Sequence, residues 1–317
     1  MKKILKIIVI LIIALFILAV SKDFIFKTIV TVAIEKTLGV RASIGSFSLS
    51  FLMHTAEIKN LKIYNPSEFP KGLLIDLAYV KVNLSVQELF KKEFHAKELT
   101  VNLRELDLVK NKQGKLNVDS LKVSVGRQQQ KPVSGAKKEE MPMRIDVLNL
   151  NIGKIVSKDY TVSGEPLINV YNLDIQKTYK NITSSQQLAL LVLTEPMKSA
   201  GIKGAKIYGL AALTGVGFVP VVVGSTILGK DTSEEILDFN YNKVYDTAIK
   251  LITKLGTVKN ANKETGVIKA DVNGTAVTAY ITQMDKGAKI KVSAKKYFLP
   301  KPEVASSIIY QIKEELK

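Results

Sequence analysis

Residues 98–109 have the sequence Glu-Leu-Thr-Val-Asn-Leu-Arg-Glu-Leu-Asp-Leu-Val, and this stretch decides the fold of the larger part of the chain. Apolar and polar residues alternate as far as Leu103, which is typical of a strand with one buried face. The alternation then moves by one residue, to Leu106 and Leu108. Because such a shift would turn the apolar side chains to the other face, it predicts a β-bulge or a strong twist near Arg104.

Similar strand patterns stand on both sides of this stretch. Glu57–Ile63 precedes the turn residues Asn65-Pro66, Leu77–Leu84 alternates again, and Met143–Ile155 shows a related change of face. We interpret these patterns as a weak repeat of strand units in one twisted antiparallel sheet. Residues 127–140, RQQQKPVSGAKKEE, are polar and contain proline, so they predict a flexible loop between strands.

An amphipathic helix is predicted before the first strand, over Phe24–Leu38. Lys27, Thr31 and Glu35 form a polar stripe at a spacing of four residues, and Gly39 stands where a left-handed residue would end the helix. The helix could lie on a membrane leaflet or cover the mouth of the sheet. Both alternatives stay open from the sequence.

The N-terminal residues predict a membrane anchor. Residues 4–20 are apolar except for Lys6, and with Lys2 and Lys3 before them the N-terminus is expected on the cytoplasmic side, with these lysines at the lipid headgroups. A cleaved signal peptide is the alternative, since Ala19-Val20-Ser21 offers small residues. We favour an uncleaved anchor over residues 1–22, because apolar residues continue after Phe24.

The C-terminal residues predict a separate small α+β domain with the order β-α-β-β-β-α. Asn273-Gly274 is a strong hairpin signal between two of its strands. The predicted elements are a strand at Ile236–Phe239, a helix at Asn242–Leu255, strands at Val267–Val272, Thr275–Gln283 and Ala288–Ala294, and a helix at Pro302–Leu316.

Residues 201–230 connect the two regions and are rich in glycine. Ile207–Gly229 carries no charge and is long enough for a second membrane span, but its glycines and Pro220 favour an interfacial or protein-buried segment. Gly224–Lys230 spells the phosphate-loop pattern GxxxxGK. Asp231 follows where such a loop needs Ser or Thr, so we expect no nucleotide site.

The composition excludes several classes of protein. The chain has 317 residues, no Cys and two His, which removes thiol chemistry, disulfides and cysteine metal sites. His54 and Glu57, like His95 and Glu98, are three residues apart at strand starts, where side chains point to opposite faces. We therefore expect no metal site, no cofactor and no enzyme.

The charge favours an anionic partner. The chain has 46 Lys and Arg against 29 Asp and Glu, a formal net charge of +17, and it has no Trp. Without an aromatic platform or a recognition-helix pattern we expect no nucleic acid, and membrane phospholipids are the preferred partner. A lysine-rich surface that is simply solvated is the bland alternative.

Taken together, the motifs of residues 1–190 resemble the N-terminal part of the AsmA family. They are the anchor, the amphipathic helix, "I-x-N-L-x-I-x-N-P" at Ile58–Pro66, the long strand quoted first, and Asn111–Asn117 before Leu121. The resemblance implies an anchored periplasmic protein whose twisted sheet forms an apolar groove implicated in phospholipid traffic. The last domain resembles a family of small bacterial lipoprotein domains without a known activity, through Asp238, Val244, Tyr245, Ala248, Leu255, Gly256, Ser307 and Ile308.

The predicted fold class is therefore α+β, with a transmembrane helix, a groove-forming twisted antiparallel sheet and a small α+β domain. The predicted domains are an anchor at 1–22, an AsmA-like β-rich domain at 23–200, a membrane-associated or buried segment at 201–230 and the small domain at 231–317. The predicted location is the bacterial inner membrane, with one span and the bulk of the chain in the periplasm.

The expected function is binding of phospholipid acyl chains in the groove, as part of lipid transport or outer-membrane homeostasis. The alternative is a scaffolding envelope protein with a closed core, which binds a protein partner or a second copy as a homo-oligomer. The groove candidates are the apolar residues of one sheet face: Leu61, Ile63, Val80, Val82, Leu84, Leu99, Val101, Leu103, Leu106 and Leu108.

Overall fold

The structure is a computed structural model in which the placed residues form two units. The described residues within 154–173 and 232–317 make the second unit, and the other described residues make the first. The predicted anchor with Lys2, Lys3 and Lys6, the predicted loop 127–140 and the GxxxxGK segment lie outside the described residues, as does Ile207–Gly229 except for 217–219. The structure describes residues 23–50, 52–85, 87–88, 91, 93–121, 142–162, 165–200, 202, 217–219 and 232–317.

Helix α1 and most of a seven-stranded sheet form the first unit, and the strands of this sheet lie side by side in chain order; its residues 154–159 and 167–173 are counted with the second unit. The pairs β1–β2, β2–β3, β3–β4 and β6–β7 are antiparallel. The elements are α1 (23–38), β1 (Ala42–Ser50), β2 (Thr55–Tyr64), β3 (Leu73–Leu84), β4 (Phe94–Lys110), β5 (Met143–Asp159), β6 (Leu167–Ile182), α2 (Ser185–Ser199) and β7 (Gly217–Val219).

A line of irregular positions crosses β1 to β4. In each strand two of the less exposed apolar residues stand three apart, although a regular strand would then turn them to opposite faces. In β4 the extra residue is Arg104, because Asp76 pairs with Glu105 and Leu77 already pairs with Leu103. The bulge predicted at Arg104 is confirmed. The pairs three apart are Ile44 and Phe47, Ile58 and Leu61, Leu77 and Val80, and Leu103 and Leu106.

Arg104 ties three strands together at this line. One Nη donates to both carboxylate oxygens of Asp76 on β3, at 2.9 and 2.8 Å. The other donates at 3.2 Å to the Oδ1 of Asn60 on β2, which has a positive φ of 53° that asparagine tolerates well. Since Asp76 is buried, the guanidinium, which contacts both carboxylate oxygens, supplies the charge partner that a buried carboxylate requires.

Replacing Arg104 with Ala is expected to lower the free energy of unfolding by about 2–3 kcal/mol, because the Asp76 carboxylate stays buried without its cation. Urea unfolding followed by circular dichroism measures the loss. Arg144→Ala is the control, since Arg144 binds Asp146 only two residues away on an exposed surface and should cost under about 1 kcal/mol. Equal losses would contradict a special role for Arg104.

Helix α2 contains the apolar run Leu188–Leu193, whose sequence by itself indicates either a short helix or a strand. Ser184 caps it by accepting from the Gln187 N–H at 3.2 Å. Near its end, Glu195 is buried and binds Lys177 of β6 at 2.5 Å and Lys198 at 3.2 Å. Burial raises the pKa of Glu195, but hydrogen bonds from Lys177 and Tyr179 outweigh it and hold the pKa below the usual 4.5.

Glu195 should therefore make stability depend on acid pH. Because its pKa is lower in the folded chain, its carboxylate stabilises the fold above the unfolded-state pKa, and this stabilisation is lost as pH falls through the folded value. In urea titrations between pH 3 and 7, Glu195→Gln is expected to flatten the acid-side dependence of the free energy of unfolding on pH. At pH 7 it should lower that free energy by about 2–3 kcal/mol, since Lys177 loses its partner.

The matched control for that titration is Glu234→Gln, whose carboxylate pairs at 3.2 Å with Lys289 on an exposed surface. Its effect at pH 7 should be below about 1 kcal/mol, with the acid slope retained. An unchanged slope in Glu195→Gln would mean that other carboxylates dominate acid unfolding.

The second unit contains a sheet with two helices on one face. The sheet order is β13-β12-β11-β10-β9, and β8 also pairs with β12. Its elements are β8 (Thr232–Leu237), α3 (Tyr241–Leu255), β9 (Thr257–Asn262), β10 (Val267–Val272), β11 (Thr275–Gln283), β12 (Ala288–Lys296), β13 (Leu299–Pro300) and α4 (Pro302–Leu316).

The predicted order β-α-β-β-β-α missed two strands of this unit. β9 is an edge strand whose residues are exposed apart from half-buried Val258, so it lacks the alternation that marks a strand. β13 has only two residues. The predicted hairpin at Asn273-Gly274 is confirmed, with Val272 paired to Thr275.

Residues 165–172 belong to this unit because they pack on α4. Ser307 Oγ donates to the carbonyl oxygen of Ile168 at 2.7 Å, and Asn172 Nδ2 donates to Ser306 Oγ at 3.1 Å. Lys254 pairs with Glu165 at 3.0 Å. The sequence had placed this stretch in the preceding domain, because nothing local marks its contact with a helix more than 130 residues later.

The predicted fold class is wrong in its transmembrane helix. Among the residues that the structure places, no helix is both long and apolar enough to cross a membrane. α2, α3 and α4 have 15 residues each, against the roughly 20 that a span needs. The predicted single-pass location in the inner membrane depended on such a helix and is corrected accordingly.

Candidate functional site

The ten predicted groove residues share one sheet face of the first unit. Cross-strand pairing places Leu61 opposite Leu77 and Leu77 opposite Leu103, with Val82 opposite Leu99 in a parallel row. Val80, Val82 and Leu84 are half-buried. The other seven are buried: Leu61, Ile63, Leu99, Val101, Leu103, Leu106 and Leu108. Their assignment as lipid-binding residues stays a prediction.

Helix α1 lies along the edge strand β1 and turns its polar stripe toward it. Asp23 accepts from the backbone N–H of Leu49 at 3.0 Å, and Lys27 Nζ donates to the carbonyl oxygen of Gly45 at 2.9 Å. Glu35 accepts from the N–H of Ala42 at 2.9 Å. An edge strand presents unpaired backbone groups, and these side chains satisfy them.

The same orientation leaves an apolar stripe of α1 exposed. Ile25, Ile29 and Val32 follow the helical spacing i, i+4, i+7 on the side away from β1, and Ile29 is 56% exposed. Phe24 lies nearby in the sequence, and the β1–β2 turn adds exposed Leu52 and Met53. Large contiguous apolar patches are uncommon on monomeric proteins, so this stripe is a candidate binding surface.

The apolar stripe leads into a cavity of about 860 Å³, within the usual range for ligand pockets. Val32 belongs to both, and Lys36 continues the stripe at i+11. The helix end that borders the cavity is formed by Gly39, whose φ of 77° and bond to Glu35 confirm the predicted C-terminal cap. The other lining residues are Glu35 of α1, Val40 and Arg41 between α1 and β1, the end of β2 with the β2–β3 connection, and Ser120.

Cationic side chains outnumber carboxylates around the cavity. Its lining includes three cationic residues, Lys36, Arg41 and Lys71, and two acidic residues, Glu35 and Glu68. Glu35 already accepts from a backbone N–H, and Glu68 is bound by Ser120 and by Lys115 at 2.9 Å. These bonds, from Ser120 first and then Lys115, hold the pKa of Glu68 below its usual value. The cavity therefore suits an anionic group.

A buried asparagine supports the cavity wall. Asn117 Nδ2 donates to Asn65 Oδ1 at 2.7 Å and to the carbonyl oxygen of Asp107 at 2.8 Å. Its Oδ1 accepts from the N–H groups of Val109 and Val118, both at 3.0 Å. All four hydrogen-bonding positions of the amide are used. Two asparagines that carry the AsmA resemblance thus have a structural role.

The described residues contain no cluster of three or more His, Asp or Glu side chains that could hold a metal ion. His95 Nε2 bonds to Asp146 at 2.9 Å, while Glu98 accepts from Asn149 at 2.7 Å. His95 and Glu98 therefore have separate partners on β5. Burial raises the pKa of Asp146, but bonds from His95 and Arg144 outweigh it and lower the pKa.

Sequence reasoning found the helix and missed what its faces do. The sequence showed the polar stripe at Lys27, Thr31 and Glu35, but Ile25 and Val32 were not recognised as part of an exposed apolar stripe. Which stripe faces outward depends on the open edge of β1, a tertiary contact that the sequence pattern does not show.

Compared with models of known protein families and with curated proteins, the sequence matches none. The resemblance to the AsmA family stays a prediction.

Asn117→Ala is expected to lower the free energy of unfolding by about 2–4 kcal/mol, because it leaves buried backbone groups without partners. Thermal and urea unfolding measure it. Asn149→Ala, at a half-buried position of β5, is the control, because among the described residues Asn149 bonds only to the side chains of Glu98 and Thr178 and leaves no buried backbone group unpaired. It should cost about 1 kcal/mol. A loss in Asn117→Ala no larger than in the control would contradict the role of this amide.

Proposed function

We propose that the first unit binds a phospholipid, without catalysing a reaction on it. The acyl chains lie on the exposed stripe of α1, and the anionic headgroup sits at the cationic rim of the adjoining cavity. The observation that supports this most directly is the orientation of α1, which binds the sheet with its polar side and presents Ile25, Ile29 and Val32 outward.

The two parts of the site provide different kinds of binding energy. Each CH₂ group that leaves water on the stripe contributes about 0.8 kcal/mol, without selecting a headgroup. Arg41 can bind a phosphate through two parallel hydrogen bonds, and its position over the Tyr64 ring, at 5.4 Å, orients the guanidinium. Chain length should therefore set the affinity, and Arg41 should set the preference for anionic headgroups.

A scaffolding role is the second candidate, and the burial of seven of the ten groove residues favours it. A closed sheet core needs no lipid to complete it. In that case the apolar stripe of α1 would be covered by a protein partner or a second copy of the chain. The two candidates differ in what occupies the stripe.

Native mass spectrometry of the full chain, exchanged out of mild detergent and followed by lipid extraction, tests the proposal. We expect phospholipid at a fixed stoichiometry in the wild type and its loss in Ile29→Gln and in Arg41→Gln. Ile29 is exposed, so its substitution should change the free energy of unfolding by less than about 0.5 kcal/mol.

Ile236→Gln is the matched control, because Ile236 is equally exposed but lies in the second unit. It should retain lipid. Loss of lipid in Val101→Gln alone would move the site to the inner sheet face, and a lipid-free wild type that forms a stable dimer would favour the scaffold.

A further inference from the structure

The turn between β12 and β13 has an unusual composition for its geometry. Lys296 pairs with Leu299, so Tyr297 and Phe298 are the two central residues of a tight hairpin turn. Both have positive φ, 48° and 66°. A left-handed backbone is unfavourable for bulky aromatic residues, and where it persists it points to a functional constraint.

The same unit contains a second turn of this geometry, formed by the residues that usually occupy it. The β10–β11 turn has φ of 52° and 73° at its two central residues, and they are Asn273 and Gly274, the preferred pair for such a turn. The chain therefore has Tyr-Phe where Asn-Gly would relieve the strain. Stability alone does not account for that choice.

The aromatic residues of this turn point into solvent. Tyr297 is 84% exposed, Phe298 98% and Leu299 65%. Lys295 and Lys296 precede them and Lys301 follows, so the sequence of the tip is KKYFLPK. Lys296 and Lys301 also line a cavity of about 530 Å³ beside α4. An apolar point ringed by cations is the composition of a membrane-interface element.

The size of the apolar tip favours a lipid surface over a protein. A stable protein interface buries about 800 Å² on each partner, and three side chains on a convex turn supply only part of that. The strand neighbours on the outward face of β12 are Lys289, Lys291, Ser293 and Lys295, which do not extend the apolar surface. Insertion into a bilayer interface needs only a few apolar residues together with a basic patch.

We propose that the tip Tyr297-Phe298-Leu299 inserts into the interface of an anionic phospholipid bilayer, with Lys295, Lys296 and Lys301 at the headgroups. This inference goes beyond the lipid site proposed on α1, since it concerns a different unit and a bilayer surface instead of a single bound lipid. Each lysine near an anionic surface should strengthen binding by about fivefold at low salt.

The absence of Trp from the chain allows a direct test. Phe298→Trp in the full chain places the sole tryptophan at the tip, and Tyr280→Trp places it on the outward sheet face of the same unit as a control. Both variants are mixed with vesicles of equal parts phosphatidylglycerol and phosphatidylcholine that carry brominated acyl chains. We expect a blue shift and strong bromine quenching of the tryptophan emission in Phe298→Trp, and neither in Tyr280→Trp.

Because each tryptophan reports its own surroundings, attachment of the chain through α1 does not imitate this result. Unquenched emission of Phe298→Trp on vesicles that do bind the chain overturns the tip proposal and leaves the α1 site standing. Equal quenching in both variants overturns it as well, since the sheet face would then lie on the bilayer. Quenching that persists when Ile29→Gln is added to Phe298→Trp shows that the tip acts independently of α1.

A second variant separates insertion from folding. Tyr297→Asn with Phe298→Gly gives the tip the residues of the β10–β11 turn, so we expect Tm to rise by on the order of 4 °C. In vesicle sedimentation on an Ile29→Gln background, binding should fall by about tenfold or more, since the apolar tip is removed. Unchanged binding in this stabilised variant overturns the proposal.

Discussion

In the first unit, one apolar sheet face has to stay continuous across long, twisted strands whose apolar and polar residues do not alternate regularly. The first unit meets this constraint with aligned irregular positions in β1 to β4, where the apolar residues step by three and stay together. Arg104 stabilises these aligned positions by binding Asp76 and Asn60 on two other strands. Without such a line, half of every strand would turn its leucines and valines to the opposite face.

The open edge of β1 imposes the second constraint. Its backbone groups need partners, and α1 supplies them from Asp23, Lys27 and Glu35. Because α1 meets this edge with its polar stripe and with Phe26, which stacks on Phe47, the stripe of Ile25, Ile29 and Val32 is left on the outside. The exposed surface that we assign to lipid is therefore a consequence of how the sheet edge is closed.

Local signals were predictable from the sequence, and contacts between distant elements were not. The bulge at Arg104, the end of α1 at Gly39 and the Asn273-Gly274 hairpin each depend on a few neighbouring residues. The outward stripe of α1 depends on β1, and edge strand β9 has only Val258 to mark it. The Tyr297-Phe298 turn was missed because neither residue is a turn former, and the transmembrane helix was wrong for the described part of the chain.

The second unit is built from two separate stretches of chain, and this sets the order in which it can form. Ser307 reaches the carbonyl oxygen of Ile168 across 139 residues of sequence. During synthesis, residues 165–172 emerge long before α4, so their packing surface waits until α4 has been made. Docking of α4 should then be a late and slow step, governed by a contact of high sequence separation.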